Sequence, residues 1–397
     1  MELGAGNQSD LRDANTGFIF QLIRRLSPIS RTDIVERSRL APSTVSVITG
    51  NLQEKRLIRE CGHAMSNGGR RPVLLEVDPD GGHFVVADLS GAQMRVGVIN
   101  LGMQVIKQWF IPLSRKGGEE SYRQVLSALQ SGRQWCGEHN LSLLGLGVAS
   151  PGLIRDDGMV IEADNLGWYL LPLRRRLQEA LSVEDNILVE NDTNAAAYGE
   201  FEFLLDRVEE GSGMYVSVDT GIGAGLVFNG ELFSGARGLA GEIGHVRVRV
   251  DPDAPVCGCG RQGCLEAVAA GPAMVRDYHA SGGGAEVMDL ETLLARADSL
   301  DDEVALQVVV QAGAEVGRVI GGQVNILNLE RVILGGLAAS SQTFFDSVRS
   351  ALLAVALPHF QTGLEFHRST LGGQGGLIGV ASLSLAQLFH PSASVDR

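Results

Sequence analysis

Met214-Tyr215-Val216-Ser217-Val218-Asp219-Thr220-Gly221-Ile222-Gly223-Ala224-Gly225-Leu226-Val227-Phe228-Asn229-Gly230 is the stretch that decides the fold. Met214 to Asp219 reads as a strand closing on an acid, and Gly223 to Asn229 as the strand that returns. Asn229-Gly230 is a hairpin turn, because both residue types accept positive φ. The alternate glycines Gly221, Gly223 and Gly225 would let backbone N–H groups approach phosphate oxygens. A purely structural hairpin accounts for them equally well. No Lys-Ser/Thr pair follows, which excludes a Walker loop. The residues after the turn look like strand and not helix, which excludes an ordinary dinucleotide fingerprint.

The same series occurs earlier in the chain. Phe84–Leu89, Met94–Asn100 and Val105–Ile111 alternate as three strands joined by short turns, and Asp88 stands where Asp219 stands later. Such an internal pseudo-repeat of strand–turn–strand units, each followed by helical segments, predicts an α/β body of two lobes. It is the layout of the two-lobed actin-like ATPase, or sugar-kinase, fold. The first lobe is expected over residues 81–200 and the second over 201–397, with the C-terminal helix free to return to the first. Residues 281–303, opening on Ser281-Gly282-Gly283-Gly284, read as a surface excursion.

Residues 1–80 have another texture. Phe18, Ile19, Leu22, Ile23 and Leu26 give one apolar helical face, which Pro28 ends. Ser30 and Asp33 fit a capping box, so a second helix should run to about Ser38. Pro42 suits the first position of a third helix whose Val45, Ile48 and Leu52 face inward. Leu57–Cys61 and Arg71–Val77 read as two strands around Gly62–Gly69. Three helices and a hairpin make a winged helix-turn-helix. Ser43, Thr44, Ser46 and Val47 would then meet base edges and phosphates. The wing tip Gly68-Gly69-Arg70-Arg71-Pro72 suits a minor groove, with Arg70 and Arg71 as its cations.

Charge agrees with this division. Residues 24–71 carry ten Lys or Arg against four Asp or Glu, a net of +6, whereas the whole chain is at −14. A small basic head before a large acidic body points to double-stranded DNA as the head's partner and argues against a uniformly basic surface. At 397 residues, 44% apolar and 20% charged, the chain has material for two or three globular domains. No unbroken apolar run of membrane-spanning length is present, and Met1–Asp10 has no apolar signal core, so a cytoplasmic protein with no membrane partner is expected. Five cysteines argue against a disulfide framework.

Three of those cysteines are clustered. Glu242-Ile243-Gly244-His245 precedes Cys257-Gly258-Cys259-Gly260-Arg261-Gln262-Gly263-Cys264-Leu265-Glu266. His245, Cys257, Cys259 and Cys264 form a Cys3His set suited to tetrahedral, structural zinc. Free buried thiols or redox cysteines are the alternative. Glu190-Asn191-Asp192-Thr193-Asn194 follows the apolar run Ile187–Val189. Asp192 there would serve a ligand hydroxyl or act as general base, while Asn and Asp in such a run also suit a helix N-cap.

Together these residues resemble the ROK family (repressors, open reading frames and kinases), over nearly the whole chain. The head resembles the family's repressor branch, the nearest kinds being the xylose and N-acetylglucosamine repressors. The resemblance implies that Asn191, Asp192, Glu242, His245 and Glu266 hold sugar hydroxyls, and that His245, Cys257, Cys259 and Cys264 hold zinc. In the kinases of the family the aspartate matching Asp192 is the catalytic base. Those kinases carry an Asp-x-Gly-Gly-Thr phosphate loop, where this chain has Asp88-Leu89-Ser90-Gly91-Ala92. Gly335-Gly336 resembles the adenosine-side motif. Many repressor relatives carry a basic residue where Val47 stands.

The expected function is therefore a sugar-responsive, DNA-binding transcriptional repressor, released from its operator by a sugar or sugar phosphate. It would work as a homodimer or higher oligomer on paired half-sites and have no enzymatic activity. An active ATP-dependent sugar kinase with a DNA-binding head is the alternative, and a regulator answering a transporter protein is a third reading.

Overall fold

The computed structural model describes residues 8–65, 71–91, 93–182, 187–204 and 211–389. The chain forms two compact units. One comprises Met1–Ser150, Gly158–Val189 and Val380–Arg397, the other Pro151–Asp157 and Glu190–Gly379.

The first unit opens with helices Gln8–Leu26, Arg31–Ser38 and Pro42–Glu54. The capping box is present: the Ser30 hydroxyl accepts from the Asp33 N–H at 3.2 Å, and the Asp33 carboxylate accepts from the Ser30 N–H at 3.1 Å. Arg39, at φ 56°, terminates the second helix, and Pro42 starts the third. Arg31 then ties these helices together. Its Nε donates to the buried Thr49 hydroxyl at 3.0 Å, and its Nη2 donates to Gln53 Oε1 at 2.6 Å. Ile19, Phe20, Ile23, Ile34, Val45, Ile48, Leu52 and Leu75 make the core beneath. Each such side chain contributes about 1.5–3 kcal/mol on burial.

The wing strands are Ile58–His63 and Val73–Val77, paired antiparallel. A third strand, Ile29–Ser30, lies on the other side of Val73–Val77. Two residues between a proline and a helix cap leave no periodic signal, so the sequence did not announce it. The connection to the lobe is short and tight. Asp78 N–H donates to Leu57 O at 3.1 Å, and a Cβ on Gly81 would lie 1.7 Å from Arg56 O.

A five-stranded sheet follows, in the order Ile187–Asn191, Leu143–Ser150, His83–Asp88, Gln93–Asn100, Val105–Pro112. The second unit holds another, in the order Glu231–Leu232, Ile222–Phe228, Ser212–Val218, Arg331–Gly335, Glu365–Arg368. In each, the central strand is antiparallel to the strand that follows it and parallel to a later strand on its other side. The pseudo-repeat is thus a repeated sheet. Asn229 and Gly230 both take positive φ, 54° and 75°, as the hairpin requires.

Two expectations are corrected. Residues 281–303 are not merely a surface excursion: they contain the helix Leu290–Ser299, whose Leu290, Leu293, Leu294 and Ala297 are buried, with Asp289 accepting from Thr292 N–H as its N-cap. The passage from the first unit to the second falls at Val189–Glu190 and not near residue 200. The helix Asp192–Leu204 packs on the second sheet through small residues; a Cβ on Gly225 would lie 2.4 Å from Ala197 Cβ. The helix Glu303–Leu327 has the length and apolarity of a membrane span. It is a core helix here, set against Gln342–Val355 so closely that a Cβ on Gly317 would lie 2.3 Å from Val348 O. The last helix, Gly375–Phe389, begins in the second unit and ends in the first.

Candidate functional site

The sequence between Glu242 and Glu266 folds as a glycine-dependent knuckle on the second sheet. Gly241, at φ 100°, carries the chain past Ala224, whose carbonyl oxygen a Cβ would meet at 1.9 Å. Gly244 allows the short turn Ile243–His245 to press on Ile222. Gly263, at φ 76°, lies against Arg249 O. Bridges pair Arg247 with Cys264 and Val256 with Gln262.

These turns gather His245, Cys257, Cys259 and Cys264, whose ligand atoms all lie within 4.8 Å of one another. Cys259 and Cys264 Sγ are 3.7 Å apart, and Cys257 Sγ is 3.6 Å from His245 Nδ1. With metal–sulfur and metal–nitrogen bonds of ordinary length, the edges of a tetrahedral site are about 3.6–3.8 Å. The donor set and its spacing therefore fit one metal ion. The Arg261 backbone N–H, bonded to the Cys259 thiol, is the main cause that lowers it to about 6, whereas burial pushes Cys257 up to about 12.

Carboxylates flank the knuckle. His245 Nδ1 faces Cys257, which leaves Nε2 beside Glu242 Oε2 at 3.9 Å. Glu266, in the first turn of the helix started by Cys264, accepts the Ile222 N–H at 3.1 Å and has its other oxygen 3.9 Å from Cys257 Sγ. Surrounding protein raises the Glu242 pKa, the His245 ring opposes this, and Glu266 adds to it; its side chain keeps 41% exposure, so the push is partial.

The alternate glycines of the second turn are accounted for by packing. A Cβ on Gly221 would lie 2.8 Å from Glu266 Oε2, and one on Gly223 would lie 2.9 Å from Thr193 Oγ1. Thr193 follows Asp192, so the turn connects the Glu266 side of the site with the Asp192 side. Asn191 acts as the helix cap: its Oδ1 accepts from Thr193 and Asn194 N–H, and its Nδ2 donates to Gly152 O at 2.9 Å. Asp192 Oδ1 accepts the Thr193 N–H at 2.8 Å. Two residues without an assigned role in the sequence reading emerge here. Glu190, half-buried and raised in pKa by burial, accepts from Asn191 N–H and Asn194 Nδ2. Arg95 pairs with the buried Asp88 at 3.5 Å, at the end of the first lobe's central strand.

In the head, Ser43, Ser46 and Val47 are exposed at the start of the third helix, Val47 at 55%, and Thr44 is half-buried. Arg71 is exposed at the wing; Arg70 and Ala92 lie outside the described residues.

Comparison with known proteins agrees with this geometry. The ROK family pattern matches residues 87–387. The chain is 31% identical to a glucokinase of Halalkalibacterium halodurans over 75% of this chain and 93% of that one. It is 27% identical to the xylose repressor of Bacillus subtilis over 95% of this chain and 96% of the repressor. Among solved structures, a ROK family transcriptional regulator described as a homolog of the Escherichia coli MLC protein superposes with TM-score 0.83 at 25% identity, covering 96% of this chain and 97% of that one. The chain belongs to the ROK family.

Proposed function

We propose that this protein is a sugar-responsive transcriptional repressor that binds double-stranded DNA through residues 1–80. The observation that carries the reading is coverage. The repressor relative matches 95% of the chain, head included, whereas the glucokinase relative matches 75%. The basic charge of residues 24–71 and the exposed Ser43, Ser46, Val47 and Arg71 support it.

In this reading Asp192, Glu242, His245 and Glu266 receive sugar hydroxyls, with Asn191 capping the helix that presents Asp192. Zinc, held by His245, Cys257, Cys259 and Cys264, is structural: it neutralises thiolate charge and fixes the imidazole. His245 Nε2 is then free of the metal and faces the Glu242 carboxylate, so the metal side of the ring orients its sugar side. Asp192 would be the base of a kinase, but the first turn opposes phosphate. Ser90 replaces a glycine, and the Arg95 guanidinium occupies Asp88. The protein acts as a dimer or higher oligomer, since paired half-sites need two heads.

The test combines two assays on the full-length protein. A duplex selected from random sequence should bind and be released by one of xylose, N-acetylglucosamine or glucose, or by a phosphate ester of one. A coupled assay with ATP and the same sugars should show no turnover. Sustained phosphorylation of a sugar would favour the kinase reading. Asp192→Ala should still bind the duplex but no longer answer the sugar.

A further inference from the structure

We infer that the C-terminal helix Gly375–Phe389 carries effector occupancy from the Asp192 helix to the DNA-binding head. The inference rests on the repressor reading above and adds its route.

At its start, the helix is fastened to the element that presents Asp192. Glu200 lies two turns along the helix Asp192–Leu204 and is wholly buried. Its carboxylate accepts four hydrogen bonds: from the Ser369 hydroxyl, from Thr370 N–H at 3.0 Å, from the Thr370 hydroxyl at 2.9 Å and from Leu371 N–H at 2.8 Å. Those residues lead directly through the turn Gly372–Gln374 into the C-terminal helix. The two helices then run backbone against backbone. A Cβ on Gly379 would lie 1.7 Å from Ala195 O, and one on Gly199 would lie 3.1 Å from Gly379 N. At these glycines the two backbones are in direct contact, which leaves little room for one helix to shift alone.

Beyond Gly379 the helix continues for ten residues, a rod of about 15 Å. Leu377, Val380, Ala381 and Leu385 are fully buried. At its end the Phe389 ring stacks on Phe20, centroids 4.1 Å apart and planes 12° from parallel. A Cβ on Gly17 would lie 1.9 Å from Phe389 O. Phe20 belongs to the core of the head and is fully buried. Both ends of the rod are therefore clamped without slack. Packed interiors switch between arrangements and do not deform smoothly, so a displacement of the Asp192 helix must be taken up by the first helix of the head.

The experiment uses full-length protein, the selected duplex, and xylose, N-acetylglucosamine and glucose as probes. Wild type should lose duplex affinity by about 5–150-fold at saturating sugar, the usual range for a coupling between sites. Phe389→Ala should bind the same sugar with unchanged affinity, yet its response should shrink to about twofold or less. Phe389→Leu keeps apolar bulk without the stacked ring and serves if the alanine variant loosens the head. In wild type, sugar should also change amide hydrogen exchange in Gln8–Leu26, and in the variants it should not. A full wild-type response in both Phe389 variants would overturn the inference. If no sugar acts on wild type, the repressor reading fails instead. The route is then tested without sugar: Thr370→Val should raise exchange in Gln8–Leu26, and unchanged exchange there would overturn it.

Discussion

The two five-stranded sheets share a strand order but not the chemistry of their first turns. At Asp88 the acid is buried and paired with Arg95 at 3.5 Å, and Ser90 N–H donates to it at 3.0 Å. Among the described residues no arginine is paired with Asp219. Burial raises its pKa, and backbone N–H groups of Leu337 and Thr220 partly offset that. The glycines after Asp219 admit Glu266 and Thr193, while the residues after Asp88 offer Ser90 a side chain in the same place. Duplicating the sheet fixed the backbone path twice. Which ligand each turn can serve was left to four or five side chains.

The proposed zinc would buttress only the second turn, so removing it should have the largest effect. Glu266 stands two residues after Cys264 and receives Ile222 N–H from that turn. Cys264→Ser, or chelation, should lower the melting temperature and increase amide exchange around Ile222–Phe228, leaving His83–Asp88 protected. Loss of a structural metal site should cost several kcal/mol or more, given apparent binding energies of about 10–16 kcal/mol in small zinc domains. Equal loss of protection in both sheets would show that the metal is not specific to one turn.

A second test sits inside the knuckle. Gly241→Ala must place a Cβ 1.9 Å from Ala224 O at φ 100°, so about 3 kcal/mol or more should be lost. Gly258 has nothing within 4 Å of its built Cβ, and Gly258→Ala should stay within about 0.5 kcal/mol. Denaturant midpoints measure both. Similar midpoints for the two variants would mean that the hairpin does not need the close approach.

Much of this was legible in residues. Capping by Ser30 and Asp33, the Pro42 start, the Asn229-Gly230 turn and the Cys3His spacing each act through local chemistry, and each is found as read. The Leu290–Ser299 helix was legible too, through Asp289 and the i, i+3, i+4, i+7 apolar set, but the preceding glycines drew attention away. Other features are tertiary. The run Glu190–Asn194 offered a helix N-cap, but nothing in it tells that Asn191 is that cap or that its amide N–H also donates to Gly152 O. Nothing near Gly221 tells that Glu266, which accepts the N–H of Ile222 from 44 residues further on, fills the space the missing Gly221 side chain leaves. The Arg95–Asp88 pair follows from cross-strand register, which a pattern of apolar alternation does not number.

The smallest effect separates the two aspartates. Arg95→Ala removes the cation beside Asp88 and leaves a carboxylate of 2% exposure unpaired except for a backbone N–H. Breaking a fully buried pair costs about 3–5 kcal/mol. The Arg95 side chain keeps 21% exposure, so solvent screening reduces the expected loss to about 1–2 kcal/mol. Asp219→Asn should act in the opposite sense. A carboxyl whose folded pKa is raised opposes folding once pH exceeds its unfolded pKa of about 3.9. At neutral pH the amide removes that penalty, so stability should hold or rise slightly, and the gain should vanish as pH falls below about 4. Urea midpoints at pH 7 and pH 4 give both signs. Under the proposed repressor reading, Arg95→Ala should not create ATP-dependent sugar phosphorylation, because Ser90 keeps its side chain in the turn. Phosphorylation appearing in Arg95→Ala would mean that the arginine alone keeps phosphate from the first turn, and that Ser90 matters little.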